Sequence, residues 1–267
     1  MLAKRIIPCL DVKDGQVVKG IGFKGLREVG DPVEMGAFYS AQGADELVYL
    51  DISASSEGRK TFTGLVSRIA ERIDIPFTVG GGISSFEDAA RLLDAGADKI
   101  TINTAAVLQP EIITRIASRY GSQFVVVAID ARTVASGTAA EPVEATSLYG
   151  NAYWQVMTNG GKRPTDKELY SWAKQVQNLG AGEILFTSMD NDGTKNGYAV
   201  QAYSRLADEL SIPVIASGGA GSVGDIEEVL TKGRADAALA ASIFHYGEIS
   251  IPELKRTLRT HGVNVRI

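Results

Sequence analysis

Two aspartates close apolar runs in this chain: Asp11 ends RIIPCLD and Asp130 ends QFVVVAID. Side chains alternate across a strand, so Ile7 and Cys9 share the face of Asp11. Two carboxylates in unlike surroundings can divide into a general acid and a general base. The plainer alternative is that each caps a loop or the start of a helix. A third aspartate, Asp192 in MDNDGT, opens a loop where Asp-Gly also serves simply as a turn.

Glycine turns are the second set. PFTVGGGI at 76–83 and PVIASGGA at 213–220 put glycines directly after an apolar run. Lacking Cβ, glycine lets the backbone bring its N–H groups up to a ligand, and a helix N-terminus favours an anion there. Gly81 and Gly82 would act with Asn103 and Thr104 from the next strand end; Gly218 and Gly219 would act with Ala241 and Ser242. Gly80 and Ser217 lie 137 positions apart, as do Ala44 and Ala181 in the units before them. The chain reads as one half-domain written twice. Two such grips suggest one substrate with two phosphates, one held by each half.

A charged set remains. Arg5, Glu46, Lys99 and Glu183 fall at strand starts, on the inward parity of Asp11, Val48, Thr101 and Thr187. Two cations and two anions form a neutral ring, either a structural ion-pair cluster or a gate on a channel through the fold. Cys9 reads as a small core thiol, and Trp154 and Trp172 as packing residues. His245 and His261 have no partner at metal-ligand spacing, so neither a metal nor a cofactor is expected.

The elements that must position these residues alternate. Strands are expected at 5–11, 45–51, 75–80, 97–103, 123–130, 182–188, 213–217 and 235–241. Between them lie helical patterns such as TFTGLVSRIAERI, FEDAARLLDAG, PEIITRIASRYG, DKELYSWAKQVQNLG and DIEEVLTKG. Helices ending in glycine and strands apolar on both faces belong to a parallel sheet. Eight β–α units predict an α/β chain folded as a single (β/α)8 TIM barrel built from two duplicated half-barrels, about 1–120 and 121–267 of one domain over 1–267. A doubly wound open sheet is the alternative; the two-fold repeat favours closure. Closure sets Asp11 and Asp130 opposite each other at the C-terminal strand ends, where such barrels carry their sites. Two long loops interrupt the pattern, at roughly 12–30 and 131–164, each a lid or a surface hairpin. The first carries Lys19 among glycines and is the better lid candidate.

Composition bounds the function. With 267 residues, 45% hydrophobic and 22% charged, the chain has an ordinary globular balance. A net charge of −5 argues against a nucleic-acid partner. One cysteine rules out an internal disulfide and fits a reducing, cytoplasmic setting. No run approaches the roughly 20 apolar residues that span a bilayer. The opening MLAKRIIPCLDV becomes a strand at once and does not read as a signal peptide.

The segments RIIPCLDVKDGQVVKG, GDPVE, ADELVYLDISAS, FTVGGGI, INTAA, VVVAIDA, GAGEILFTSMDNDGTKNGY, IPVIASGGAG and ADAALAASIFH resemble the cyclase subunits of imidazole glycerol phosphate synthase, of histidine biosynthesis. The resemblance runs almost end to end and lapses only over 131–153, which is longer than usual. It implies a reaction in which ammonia attacks a bisphosphorylated ribulosyl-formimino aminoimidazole carboxamide ribotide, yielding imidazole glycerol phosphate and aminoimidazole carboxamide ribotide. Ammonia would come from a glutaminase subunit docked on the N-terminal barrel face, forming a heterodimer. By resemblance Asp11 is the general base, Asp130 the general acid and Lys19 the lid residue. Gly82, Asn103 and Thr104 hold one phosphate; Asp192, Gly193, Gly219, Ala241 and Ser242 hold the other end; Arg5, Glu46, Lys99 and Glu183 match the ammonia gate. Asp98 and Gln123 fall near the partner's face. Where many relatives carry Asp after the GY of the 189–199 loop, this chain has Ala199. The sister isomerase of the pathway is the nearest rival, but its second strand usually reads like VDLDGA where this chain has LDISAS. A non-catalytic phosphosugar-binding scaffold is the rival of another class, and it would not require both mouth aspartates.

Overall fold

The computed structural model describes residues 2–21, 24–52, 56–135 and 152–267, with side chains at 19–21, 24–26 and 56–61 set aside. Its first half runs β1 (Arg5–Lys13), β2 (Gln16–Ile21), β3 (Lys24–Gly30), α1 (Pro32–Ala41), β4 (Leu47–Asp51), α2 (Ser56–Ala70), β5 (Phe77–Gly80), α3 (Phe86–Asp94), β6 (Lys99–Ile102), α4 (Thr104–Leu108) and α5 (Glu111–Tyr120). The second runs β7 (Val125–Ala135), β8 (Ala152–Thr158), β9 (Arg163–Glu168), α6 (Leu169–Asn178), β10 (Glu183–Ser188), α7 (Val200–Glu209), β11 (Val214–Ser217), α8 (Val223–Thr231), β12 (Ala237–Ala240), α9 (Ser242–His245) and α10 (Ile251–Thr260).

Eight strands, β1, β4, β5, β6, β7, β10, β11 and β12, pair in parallel in that order. The β12–β1 pair, Arg5 opposite Ala237 to Pro8 opposite Ala240, closes the ring. This is the expected (β/α)8 barrel. Strands so enclosed are apolar on both faces because each face meets a core. Outward residues such as Ile6, Leu10, Leu47, Val79, Ile100 and Phe186 pack under the helices. Inward ones, Ile7, Cys9, Val48, Val126, Leu185, Ile215, Ala237 and Leu239, form a separate cluster inside the barrel.

The duplication extends to the helix caps. Ser85 starts α3 with a capping box to Asp88, and Ser222 starts α8 with the same box to Asp225. Each serine accepts from the N3 amide while the aspartate accepts back from the cap, satisfying two donors the helix leaves orphaned. Asp98 accepts from the Phe77 amide at 3.0 Å and Asp236 from that of Val214 at 3.0 Å, holding equivalent strand starts together.

Departures from expectation cluster at the two long loops. Both loops begin as β-hairpins, one of the two forms expected of them; the departure lies in how far the ladders extend. β1 runs past the barrel rim to pair antiparallel with β2 (Val12 opposite Val17), and β7 does the same with β8 (Asp130 opposite Met157). Residues 163–168 form β9 because β8 offers them a ladder, so 166–168, expected as the start of the helix DKELYSWAKQVQNLG, are strand, and α6 begins only after Glu168 caps it. Most of the long 131–153 segment, at 136–151, lies outside the described residues. Trp172 is buried and Trp154 stacks edge-on against Phe186, as packing residues should.

Candidate active site

Three strands lie between β1 and β7 in either direction around the eight-membered ring, so Asp11 and Asp130 stand at opposite walls of the mouth. Asp11 is buried at 9% exposure, in register with Leu50 of β4. Asp130 accepts a hydrogen bond from the Asn103 amide at 2.9 Å. Burial pushes the Asp130 carboxyl up to about 6; hydrogen bonds from Asn103 and Thr187 work against that shift and the charge of Asp192 adds to it. A carboxyl with that value is about one-tenth protonated at pH 7, roughly a hundredfold more than an ordinary aspartate, and can donate a proton near neutrality. Thr187 was marked only by its inward parity; that it touches Asp130 follows from the parallel register of β7 with β10, which sets the two residues opposite.

The glycine turns are built alike. Gly81 has φ +94° and Gly218 φ +90°, a region open to glycine and strained for other residues. A Cβ on Gly81 would strike the backbone of Asp51, and one on Gly218 would lie 2.6 Å from the Ser188 carbonyl oxygen. Each turn therefore lies flat on the preceding strand end. Asn103 and Ala241 stand at matching places before α4 and α9, with φ, ψ of −120°, −79° and −123°, −75°. Asn103, an excellent helix cap by type, makes no side-chain cap; its amide turns to Asp130 instead. Thr104 accepts from the Asn159 amide at 3.0 Å, bringing the second hairpin onto this corner. Asp192 and Gly193 lie exposed on the loop after β10. That loop is tied down by residues the sequence did not single out. Asp190 accepts from the amide and hydroxyl of Thr133, each at 2.8 Å, and Asn191 donates to the Gly197 carbonyl at 2.8 Å. Acceptors this far apart in sequence leave no local pattern. Ala199 precedes α7 without a side-chain cap. Lys19 sits in β2 opposite Arg27; its side chain lies outside the described residues.

At the other end of the barrel the four charges meet. Arg5 reaches Glu46 at 2.8 Å and Glu183 at 2.9 Å; Lys99 reaches Glu46 at 3.0 Å and Glu183 at 3.1 Å. Thr78 adds a hydroxyl to Glu46 at 2.8 Å. Desolvation opposes the Arg5 charge, but Glu183 and Glu46 outweigh it and raise its pKa. All four contacts are made at once, joining the four strand starts in one ring of ion pairs. Above it lies the apolar interior cluster, interrupted by Thr101, whose buried hydroxyl has no hydrogen-bond partner among the described residues. Asp98 is occupied with the Phe77 amide, and Gln123 is exposed and donates to the Tyr120 carbonyl at 3.3 Å. His245 meets the Tyr39 hydroxyl at 2.7 Å and His261 meets Glu227 at 2.6 Å; no metal-holding cluster occurs among the described residues. No helix among them is long and apolar enough to cross a membrane.

Fold and mouth define a class: a (β/α)8 barrel duplicated in halves, with a facing carboxylate pair at one end and a ring of four paired charges at the other. The sequence profile of the histidine biosynthesis protein family matches residues 5–250. Relatives described as imidazole glycerol phosphate synthase subunit HisF are 59% identical in Phocaeicola vulgatus over 267 residues, 58% in Bacteroides fragilis over 266 and 55% in Geobacillus thermodenitrificans over 269, each covering all of both chains. The chain belongs to this family of histidine biosynthesis proteins, among the HisF subunits.

Proposed function

We propose that the chain is the cyclase half of imidazole glycerol phosphate synthase, taking ammonia from a glutaminase subunit docked at the N-terminal barrel face. The observation that carries the reading is the carboxylate pair, with one member held near pKa 6 by burial and the other facing it across the mouth. Condensing ammonia with a ketose and closing an imidazole ring requires protons to be delivered to departing oxygen and nitrogen and removed from attacking nitrogen. Asp130 is the general acid and Asp11 the general base. Placing them at opposite walls lets one serve each side of a substrate laid across the mouth. Gly82, Asn103 and Thr104 hold one phosphate, with Asn103 also orienting Asp130. Asp192, Gly193, Gly219, Ala241 and Ser242 hold the other end, and Lys19 closes the lid. Substrate binding should then need both halves, about 1–120 and 121–267, of a single domain over 1–267.

Arg5, Glu46, Lys99 and Glu183 act as the ammonia gate. A neutral molecule crosses the apolar interior at far lower cost than an ion, and a ring of paired charges blocks the floor until it is disturbed. The single cysteine and the biosynthetic relatives favour the cytoplasm. No cofactor takes part.

The test is turnover of the bisphosphorylated ribulosyl substrate by the isolated chain, supplied with ammonium at alkaline pH and followed by loss of substrate absorbance. Turnover is expected without the glutaminase. Its absence in folded protein would refute the cyclase assignment and return the isomerase and scaffold readings.

A further inference from the structure

The hairpin β8–β9 has a tip, TNGGKR at 158–163, that does not stand clear of the barrel. The Asn159 amide donates to the Thr104 hydroxyl at 3.0 Å, at the end of β6. Gly161 lies so close against Met189, just past β10, that a Cβ there would collide with the methionine side chain. β6 and β10 flank β7, so the tip bridges the rim on both sides of the strand that carries Asp130. Three consecutive residues take left-handed backbone, Asn159 (φ +55°), Gly160 (φ +62°) and Gly161 (φ +77°), and the Lys162 amide closes the turn on the Thr158 carbonyl at 3.0 Å. A turn wound this tightly is specified by asparagine and glycine, the residues that adopt it at least cost. It exposes Lys162 and Arg163. Neither side chain has a carboxylate partner among the described residues, so both charges are left for a solution anion. Arg132, on the same face of β7 as Asp130, adds a third cation in that neighbourhood.

We infer that this tip is a further anion-binding element, in which Lys162 and the amides of Gly160 and Gly161 close on the phosphate monoester held at Gly82 and Thr104. The inference rests on the phosphate assignment made in the proposed function. Thr104 accepts from Asn159, which leaves its hydroxyl proton free to point at the phosphate, and donors linked in series strengthen one another. A lysine serves a phosphate dianion as a compact point charge, and its four-carbon stem lets it swing in from the rim. Each half-barrel then contributes a lysine-bearing hairpin from its first strand, Lys19 in β2 of one half and Lys162 at the β8–β9 tip of the other.

The experiment uses the full chain with ammonium as nitrogen donor. For Lys162→Ala the expected result is a KM for the bisphosphorylated substrate at least tenfold higher, with kcat changed less than threefold and most of the loss restored in Lys162→Arg. A KM within twofold of the parent, in a protein that turns over, overturns the inference. Titration with inorganic phosphate, followed through the Gly160 and Gly161 amide resonances, separates the two readings. Saturable shifts that vanish in Lys162→Ala support the tip as an anion site even if no turnover is found; resonances that do not respond in the parent protein overturn it.

Discussion

Asp130→Asn should make the protein more stable, and increasingly so as pH rises. The carboxyl titrates at about 6 in the fold against 3.8 for an ordinary aspartate. Since the folded value is the higher, the native state holds its proton where the unfolded chain has already lost it. Stability from this site is complete below about pH 3.8 and is lost as pH climbs through 6. At about 1.4 kcal/mol per pH unit, the cost of keeping Asp130 ionised is about 0.5 kcal/mol at pH 4, about 1.5 at pH 5 and about 3 at pH 8. Asparagine carries no charge in either state, so the variant sheds the whole of that pH-dependent cost. It retains an oxygen for the Asn103 donor and an amide that the Thr187 hydroxyl can accept. The assay is urea unfolding of parent and variant across pH 4 to 8. The gap in unfolding free energy should widen by about 2–3 kcal/mol over that span. A gap of constant size would refute the claim that burial raises this carboxyl. The same variant should lose turnover, because under the proposed mechanism the group that destabilises the fold is the one that delivers the proton.

Asn103→Ala removes a donor to the Asp130 carboxylate, and a hydrogen bond to a charged group contributes about 1.5–3 kcal/mol, so the Asp130 pKa should climb by about 1–2 units in a carboxyl ¹³C NMR titration. Arg5→Met leaves Glu46 and Glu183 sharing a single cation, Lys99, inside the floor, and a loss of about 3–5 kcal/mol is expected on urea unfolding, with Arg5→Met/Glu183→Gln recovering part of it. Gly81→Ala combines φ +94° with a collision against Asp51 and should cost more than about 3 kcal/mol, while Gly15→Ala, at φ +80° in open space, should cost about 1. Ser85→Ala and Ser222→Ala each break a capping box and should each lose about 1 kcal/mol in thermal or urea unfolding; a clear inequality would mean the two halves no longer carry equivalent helix starts.

Much of the fold could be read from periodicity. The inward parity assigned to Ile7, Cys9, Val48 and Asp11 follows from the strict alternation of a strand, and the structure puts the first three in the barrel interior and Asp11 at its mouth. The floor ring was legible for the same reason, since four charges at strand starts on the inward parity have nowhere to go but toward each other. Helices such as FEDAARLLDAG and DIEEVLTKG announced themselves by their apolar spacing. Residues 163–168 did not, because RPTDKE carries no strand pattern of its own and pairs only because β8 lies beside it.

What the sequence determined alone was local or periodic: the eight β–α units, the repeat at 137 positions, the faces of the strands and the glycines that a positive φ requires. Tertiary structure decided whatever depends on distance across the barrel. Only closure of the ring buries Asp130 deeply enough to reach about 6, draws Asn103 away from capping its helix, and brings Asn159 down onto Thr104. The reason is that a side chain's type is written at one position, whereas its desolvation and its partners are set by segments 27, 55 or more residues away that a linear pattern does not pair.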